Sequence, residues 1–409
     1  MHLMVNDRKV SLEAFLEMNM SDVRTFAARN LETLTSIPDL PNAISVDIAG
    51  RPAITVAPRL PNARSVNISD CPSLTTLPDL SNARTISLSG CTSLVSLPDL
   101  PNARTVDVSG CRSLIHLPDL PNAQTVDVSN CSSLDNLPDL PKLTVLRAFC
   151  CSSLIQLPSM PNVRVIFVSD CKSLTAIPEL PNVQSIYARR CPSLTVVSGL
   201  PNAEEAHFDG CPALTLLPAL TKATSVSAGG CSSLNTVTDL SNARIIDLTA
   251  CSSLTALPKL PNAEFVDLRG CTSLSTLPNL SYVNTLIVSG CTSLTALPRL
   301  PRAETVDICG CSSLIEQPDC HNATIKSAFG YCAGGLDSRG FYFEGILEED
   351  GWHIRAACRD FTIPDAFKHW GHGGESDRPE CVAIIEAIAS FAAEFDAEHI
   401  SHSRNRFEI

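Results

Sequence analysis

A cysteine stands at every twentieth position from Cys71 to Cys311, thirteen in unbroken register, and no other feature of the chain restricts its fold as much. A fixed period of that length marks a stacked-repeat architecture, in which each unit buries its apolar side chains only against its neighbours. One unit, Leu97 to His116, reads LPDLPNARTVDVSGCRSLIH, and the same frame runs from Ile37 to about Gly330, with Arg51 in the cysteine column of the first coil. That is fourteen full coils and part of a fifteenth.

Within the unit, Ala103, Val106, Val108, Cys111, Leu114, Leu117 and Leu120 follow the pattern L-x-x-L-x-L-x-x-[N/C]-x-L. The predicted fold class is therefore a leucine-rich-repeat solenoid with a parallel β-sheet on its concave face. The strand is short, about Thr105 to Ser109; the two-residue period turns Val106 and Val108 inward and Thr105, Asp107 and Ser109 outward. On the opposite side, the two prolines of LPDLP exclude helix and predict an extended, polyproline II convex face. Strands stacked about 4.8 Å apart give an array on the order of 70 Å long. With 44% apolar but only 5% aromatic residues, the core reads as layers of Leu, Val and Ile.

The cysteine column lies just past the strand, and the reading given to it is a packed, inert ladder, since buried thiols are small, weakly donating groups. No C-x-x-C pair supports zinc, and no cofactor is expected. So many free thiols point to a reducing cytosol. A second column, with Asn42, Asn62, Asn82, Asn102, Asn122, Asn162, Asn182, Asn202, Asn242, Asn262 and Asn322, reads as structural asparagines bonding loop backbone. The net charge of -13 and pI of about 5.1 repel phosphate backbones and anionic head groups, so neither nucleic acid nor membrane is an expected partner. The stretch Met1 to Asn30 lacks the apolar core of a secretory signal, and no segment reads as a membrane span.

The tandem LPxLP in a 20-residue repeat resembles the bacterial LPX-type leucine-rich-repeat proteins, the YopM-like and IpaH-like effectors, over roughly residues 11 to 330. The resemblance implies an N-terminal helical cap and a concave sheet that binds host proteins. Ser11 can cap a helix to about Asn19 and Ser21 a second through Arg29, with Phe15, Leu16, Val23 and Phe26 as apolar faces. The chain departs from the family in its cysteine column, which stands where the family has asparagine. Nothing after the repeats is long enough for the ligase domain of some members, and neither Cys332, Cys358 nor Cys381 begins their Cys-x-Asp motif. The run GCSSL at Gly310 to Leu314 also resembles repeats of plant disease-resistance proteins.

Outward columns carry no packing duty, so departures from consensus there mark recognition residues. Between residues 145 and 209 the Thr-Asp-Ser columns give way to Val145, Arg147 and Phe149, then Val165 and Phe167, then Tyr187 and Arg189, then Glu205, His207 and Asp209. The partner-binding residues expected are Arg147, Phe149, Phe167, Tyr187, Arg189, Glu205, His207 and Asp209, flanked by Arg190 and Glu204, because aromatic and arginine side chains dominate binding hot spots. Phe265, Asp267 and Arg269 form a smaller second candidate. The Thr-Asp-Ser lattice elsewhere reads as solvated surface, since its carboxylates break the flat face ice binding would need.

After Gly330 the register ends, and Phe341, Tyr342, Phe343, Trp352 and Trp370 mark a new unit. A hairpin around Asp350-Gly351, a short helix from Pro364 to Trp370 and a longer one capped by Ser376 or Asp377 through about Phe395 predict a small α+β lid. His353, Cys358, Asp360, His369, His372 and Cys381 match no ligand or nucleophile spacing, so no catalytic or metal residue is assigned. The expected organisation is a cap over 1-36, a solenoid over 37-330 and a capping domain over 331-409. The expected function is a non-enzymatic scaffold for a protein partner, in the cytoplasm or delivered as an effector to a host cytosol. Its rivals are a repeat-guided enzyme acting through the C-terminal unit and a structural spacer or adhesin component.

Overall fold

The computed structural model describes residues 3–28, 34–315, 324–326, 331–336, 342–348, 351–356, 359–370, 378, 381–390 and 392–393. The chain forms two compact units, Met1–Ala203 and Glu204–Ile409. Both are built from leucine-rich-repeat coils.

In the first unit nine three-residue strands, from Thr25–Ala27 and Ser45–Asp47 through Val165–Phe167 and Ser185–Tyr187, pair in parallel with each residue opposite the one twenty positions on. The columns predicted to point inward do so: Leu100, Ala103, Val106, Val108, Cys111 and Leu114 are all at most 1% exposed. The asparagine column is a hydrogen-bond ladder as well. Asn102 Nδ2 donates to the Ser81 carbonyl at 2.9 Å and Asn122 Nδ2 to the Pro101 carbonyl at 2.8 Å, and the same step recurs from coil to coil. Each coil turns out of its strand through a left-handed residue. Glycine serves at Gly90 and Gly110, while Asp70, Asn130, Cys150, Asp170 and Arg190 adopt the same positive φ in other coils.

The proline side contains no helix among the described residues, as its paired prolines dictate. Where the first proline is missing, a second ladder appears. Ser198 N–H donates to the Ile177 carbonyl at 3.0 Å, and Ala176–Ile177 pairs with Val196–Val197; Thr238 N–H reaches the Leu217 carbonyl at 3.3 Å, and Leu216–Leu217 pairs with Thr236–Val237. A proline at either position has no donor for that bond.

The N-terminal segment corrects one expectation. The helix capped by Ser11 forms, over Leu12–Leu16, with Ser11 Oγ accepting from Ala14 N–H at 3.2 Å. The second helix expected from Ser21 to Arg29 does not. Asn19 caps a single 3-10 turn, Met20–Asp22, and Thr25–Ala27 is a strand in register with Ser45–Asp47. Val23, Phe26 and Ala28 therefore hold the columns of Ala43, Val46 and Ile48, and a repeat strand starts one period before the LP-marked frame. Ahead of it, Leu3–Val5 and Arg8–Val10 form a hairpin through left-handed Asn6 and Asp7, and Leu3–Val5 pairs antiparallel with Thr25–Ala27. Phe15 packs on Phe26 with ring centroids 4.9 Å apart.

The second unit continues with parallel strands Glu205–His207, Ser225–Ser227, Ile245–Asp247, Phe265–Asp267, Thr285–Ile287, Thr305–Asp307 and Thr324–Lys326. The last step is one residue short, Thr305 facing Thr324. A four-stranded antiparallel sheet follows, Tyr331–Leu336, Tyr342–Glu348, Gly351–Ala356 and Arg359–Thr362, with helix Ile363–Trp370. The hairpin expected around Asp350-Gly351 and the helix expected from Pro364 are both present. Residues 381–390 and 392–393 are helical; both expected caps, Ser376 and Asp377, and the end of the expected helix at Phe395 lie outside the described residues. Phe343, Ile354, Ala366, Trp370, Cys381, Ile385 and Ile388 close a core of their own.

Candidate functional site

The strand faces are where the coils differ in chemistry. Six strands carry aspartate at the third position, at Asp47, Asp107, Asp127, Asp247, Asp267 and Asp307, and its role is structural as well as solvating. Asp107 Oδ1 accepts from Ser109 N–H at 3.0 Å and Asp127 Oδ1 from Ser129 N–H at 2.9 Å, so the carboxylate closes the turn leaving the strand. Sequence reading took this column for solvated surface alone, because a repeated letter does not show which backbone group it meets.

In three successive coils that aspartate is replaced by Arg147, Phe167 and Tyr187, and in the first and third the turn bond is supplied by a serine of the coil before. Ser129 Oγ accepts from Phe149 N–H at 3.4 Å, and Ser169 Oγ accepts from Arg189 N–H at 3.1 Å. Serines of the preceding coils thus free the third strand position for Arg147 and Tyr187. The parallel register sets Phe167 beside Arg147 and Tyr187 beside Phe167. Phe167 and Tyr187 stack at 5.0 Å and 10°, Phe149 lies 5.3 Å from Phe167 at 32°, and the guanidinium groups of Arg147 and Arg189 stand 5.8 and 6.0 Å from the Phe167 and Tyr187 rings. The rings are half-buried, each with a face against its neighbour and an edge in water. Beside them Arg190 grips Asp170 through two bonds of 2.7 and 2.6 Å.

The structure therefore joins Arg147, Phe149, Phe167, Tyr187 and Arg189 into one ladder in the first unit. Glu205, His207 and Asp209 belong to the second unit, on one strand and the turn after it. There Asp209 Oδ1 takes the Ser227 hydroxyl and the Gly229 N–H, the latter at 3.0 Å, which ties it to the next coil.

The smaller candidate, Phe265 with Asp267 and Arg269, is engaged inside the molecule. Arg269 Nη2 lies 2.7 Å from Asp267, its Nη1 lies 3.8 Å from Glu344 of the C-terminal sheet, and Ser289 Oγ donates to Glu344 at 3.2 Å. Asp267, Ser289, Asp307, Cys309 and Glu344 are all at most 6% exposed. The C-terminal sheet, expected as a lid over the final coil, lies against the strand face of the last coils. Burial pushes the Glu344 carboxyl above its ordinary range, with Asp307 adding to the effect and Arg269 opposing it.

Sequence reading missed a groove of about 830 Å³ in the second unit, beside the strands and lined by Lys222, Arg244, Glu264, Tyr282 and Arg302 among others. Arg244 clasps Glu264 at 2.8 and 2.9 Å, and Arg302 lies 4.4 Å over the Tyr282 ring. Unlike charges one period apart were the available signal.

The cysteine column is buried from Cys71 to Cys291. Along the column thiols donate to the carbonyl 23 residues earlier, as Cys111 to Leu88 and Cys131 to Val108, both at 3.1 Å. Burial pushes Cys91, Cys111 and Cys131 up to about 12, so they stay protonated at neutral pH. Cys150, exposed at its turn, is the contrast. In mildly alkaline solution iodoacetamide is expected to label Cys150 before any ladder thiol, as peptide mapping will show; early labelling of Cys111 or Cys131 would refute a closed column.

In the C-terminal unit His353 Nδ1 and Arg355 Nε each sit 3.1 Å from Asp360, His369 stacks on Phe361, and Cys381 is buried in the core. Cys358 and His372 lie outside the described residues. Among the described residues no group of three or more His, Cys, Asp or Glu side chains could hold a metal ion, and no helix is long and apolar enough to cross a membrane.

No protein-family profile matches the chain, and no curated protein matches it. Solved structures similar to it include YopM from Yersinia enterocolitica WA-314, at 22% identity over 75% of this chain and 65% of that one, with a TM-score of 0.39. A leucine-rich repeat protein from Bacteroides ovatus is 17% identical over 75% of this chain and 88% of its own, with a TM-score of 0.32. A leucine-rich cell surface protein from Faecalibacterium prausnitzii is 16% identical over 76% and 84%, with a TM-score of 0.37. The leucine-rich-repeat assignment rests on the twenty-residue register, the buried columns and the strand ladders themselves.

Proposed function

We propose that the chain is a non-catalytic scaffold that holds a protein partner on the strand face of its first unit, working in a reducing cytosol, that of a host cell if it is delivered as an LPX-type effector. The observation that carries this reading is the ladder of Phe149, Phe167 and Tyr187 with Arg147 and Arg189 at its ends. Rings held by register and neighbouring arginines lose little side-chain freedom when a partner covers them, which is the property of binding anchors. The guanidinium groups can pair with carboxylates on the same partner.

Capture by the intact chain, compared with that by the Phe167→Ala/Tyr187→Ala double variant, tests the reading. Anchors of this kind contribute roughly 2 kcal/mol or more each, so a partner held by the parent chain is expected to bind the variant at least about thirtyfold more weakly. Equal retention by both proteins would remove the ladder as the binding site.

A further inference from the structure

The position just before each strand forms a line of its own along the first unit, and three consecutive coils fill it with arginine. Arg84 N–H donates to the Arg64 carbonyl and Arg104 N–H to the Arg84 carbonyl, both at 2.8 Å, so the three residues are set one strand spacing apart, about 4.8 Å. All three are exposed, and among the described residues none of their guanidinium groups has an ion pair or side-chain hydrogen bond. Arginine does not shed its proton to relieve such crowding. The same column in the second unit is arranged otherwise: Glu204, Arg244, Glu264 and Glu304 occupy it, and Arg244 closes a two-bond pair with Glu264. The column thus gives its arginine a carboxylate partner in the second unit and leaves like charges side by side in the first.

We propose that Arg64, Arg84 and Arg104 form a docking edge for an acidic segment of a protein partner, supplying the carboxylates that the first unit withholds. The net charge of -13 repels a uniform polyanion at range, and Asp107 and Asp127 stand on the strands beside the row. A protein segment can place its carboxylates on the arginine edge and keep them off the aspartates, as a nucleic acid or polyphosphate cannot. Arg164 holds the same column on the coil of Phe167, so a segment following the row runs toward the aromatic ladder. Naming the partner's chemistry in this way rests on the reading of that face as protein-binding.

The test uses the full chain and a fluorescein-labelled decapeptide of alternating glutamate and serine, which in extended form carries its carboxylates on one side only, read by fluorescence anisotropy. The parent chain is expected to bind it with affinity that falls steeply as salt rises, and Arg64→Glu/Arg84→Glu/Arg104→Glu to bind it at least tenfold more weakly. Arg84→Glu alone is compared with Lys259→Glu, an exposed site in the second unit that changes net charge equally; only the first is expected to weaken binding. Equal weakening, no binding by the parent chain, or tighter binding of polyphosphate or a deoxythymidine decamer overturns the proposal. Phe167→Ala/Tyr187→Ala is expected to retain binding of this peptide, so loss of peptide binding and loss of ladder-dependent capture are separate failures.

Discussion

Arg269→Ala is expected to release the C-terminal sheet from the strand face at neutral pH. Arg269, itself 21% exposed, is the cation facing two carboxylates, Asp267 at 4% and Glu344 at 2% exposure. Removing one partner of a buried pair strands the other charges, at about 3 to 5 kcal/mol. Cys309 holds the next place in the column of Arg269 and Ser289, is 2% exposed, and reports on cover over this face. Its labelling in the variant is expected to exceed the parent rate at least about a hundredfold at neutral pH, the ratio that 3 kcal/mol implies.

Acid is expected to reverse the effect. The docked Glu344 carboxyl is raised by burial, so docking takes up a proton; the stability from this group is complete below the ordinary carboxylate range and is lost as pH rises through the raised value. Without Arg269, which lowers Glu344, that upper limit moves higher still. The ratio of variant to parent labelling should therefore fall between neutral pH and the carboxylate range. A ratio near one at neutral pH, or one that does not fall with acidification, would show that Arg269 does not hold the sheet down.

The second large effect lies in the packing of the coils. Phe208, fully buried, occupies a column that elsewhere holds Val, Ile, Leu or Ala, and the residues two before it and one coil after it are Ala206 and Ala228. Its ring fills the space those small residues leave. Phe208→Ala is expected to destabilise the second unit by about 3 to 5 kcal/mol, the usual range for an emptied aromatic site. Ala228→Leu alone should overpack and cost about 1 to 3 kcal/mol, whereas in the Phe208→Ala background it should restore part of the loss. Because coils contact chiefly their neighbours, hydrogen exchange over Ser225–Ser227 and Ile245–Asp247 is the appropriate readout. Additive losses in the double variant would mean that the two side chains do not share that space.

The coil is legible from letters because its columns obey local rules: Val106 and Val108 alternate with Asp107, Asn102 bonds the preceding coil, and proline forbids helix. What escaped has equally specific causes. Val23, Phe26 and Ala28 keep the spacing of a repeat but lack the LP and cysteine markers, so the segment reads as an amphipathic helix until its partner strand is seen. The second ladders depend on a donor gained at Ser198 and Thr238, which is visible only when proline is read as a missing N–H. Phe149, Phe167 and Tyr187 were evident as departures from consensus, but Ser129 and Ser169, which replace the missing turn acceptor for the coils of Arg147 and Tyr187, act from the coil before. The C-terminal sheet has no period, so the pairing of Glu344 with Arg269 and Ser289 could not be inferred from spacing.

A row of short parallel strands is, at its first member, a ready template on which another copy of the chain could add. Here Leu3–Val5 occupies that edge running the opposite way, and the outermost strand of the hairpin, Arg8–Val10, presents exposed Arg8 and Lys9. Reversed polarity and cationic side chains remove the matching surface that end-on growth into fibres would require.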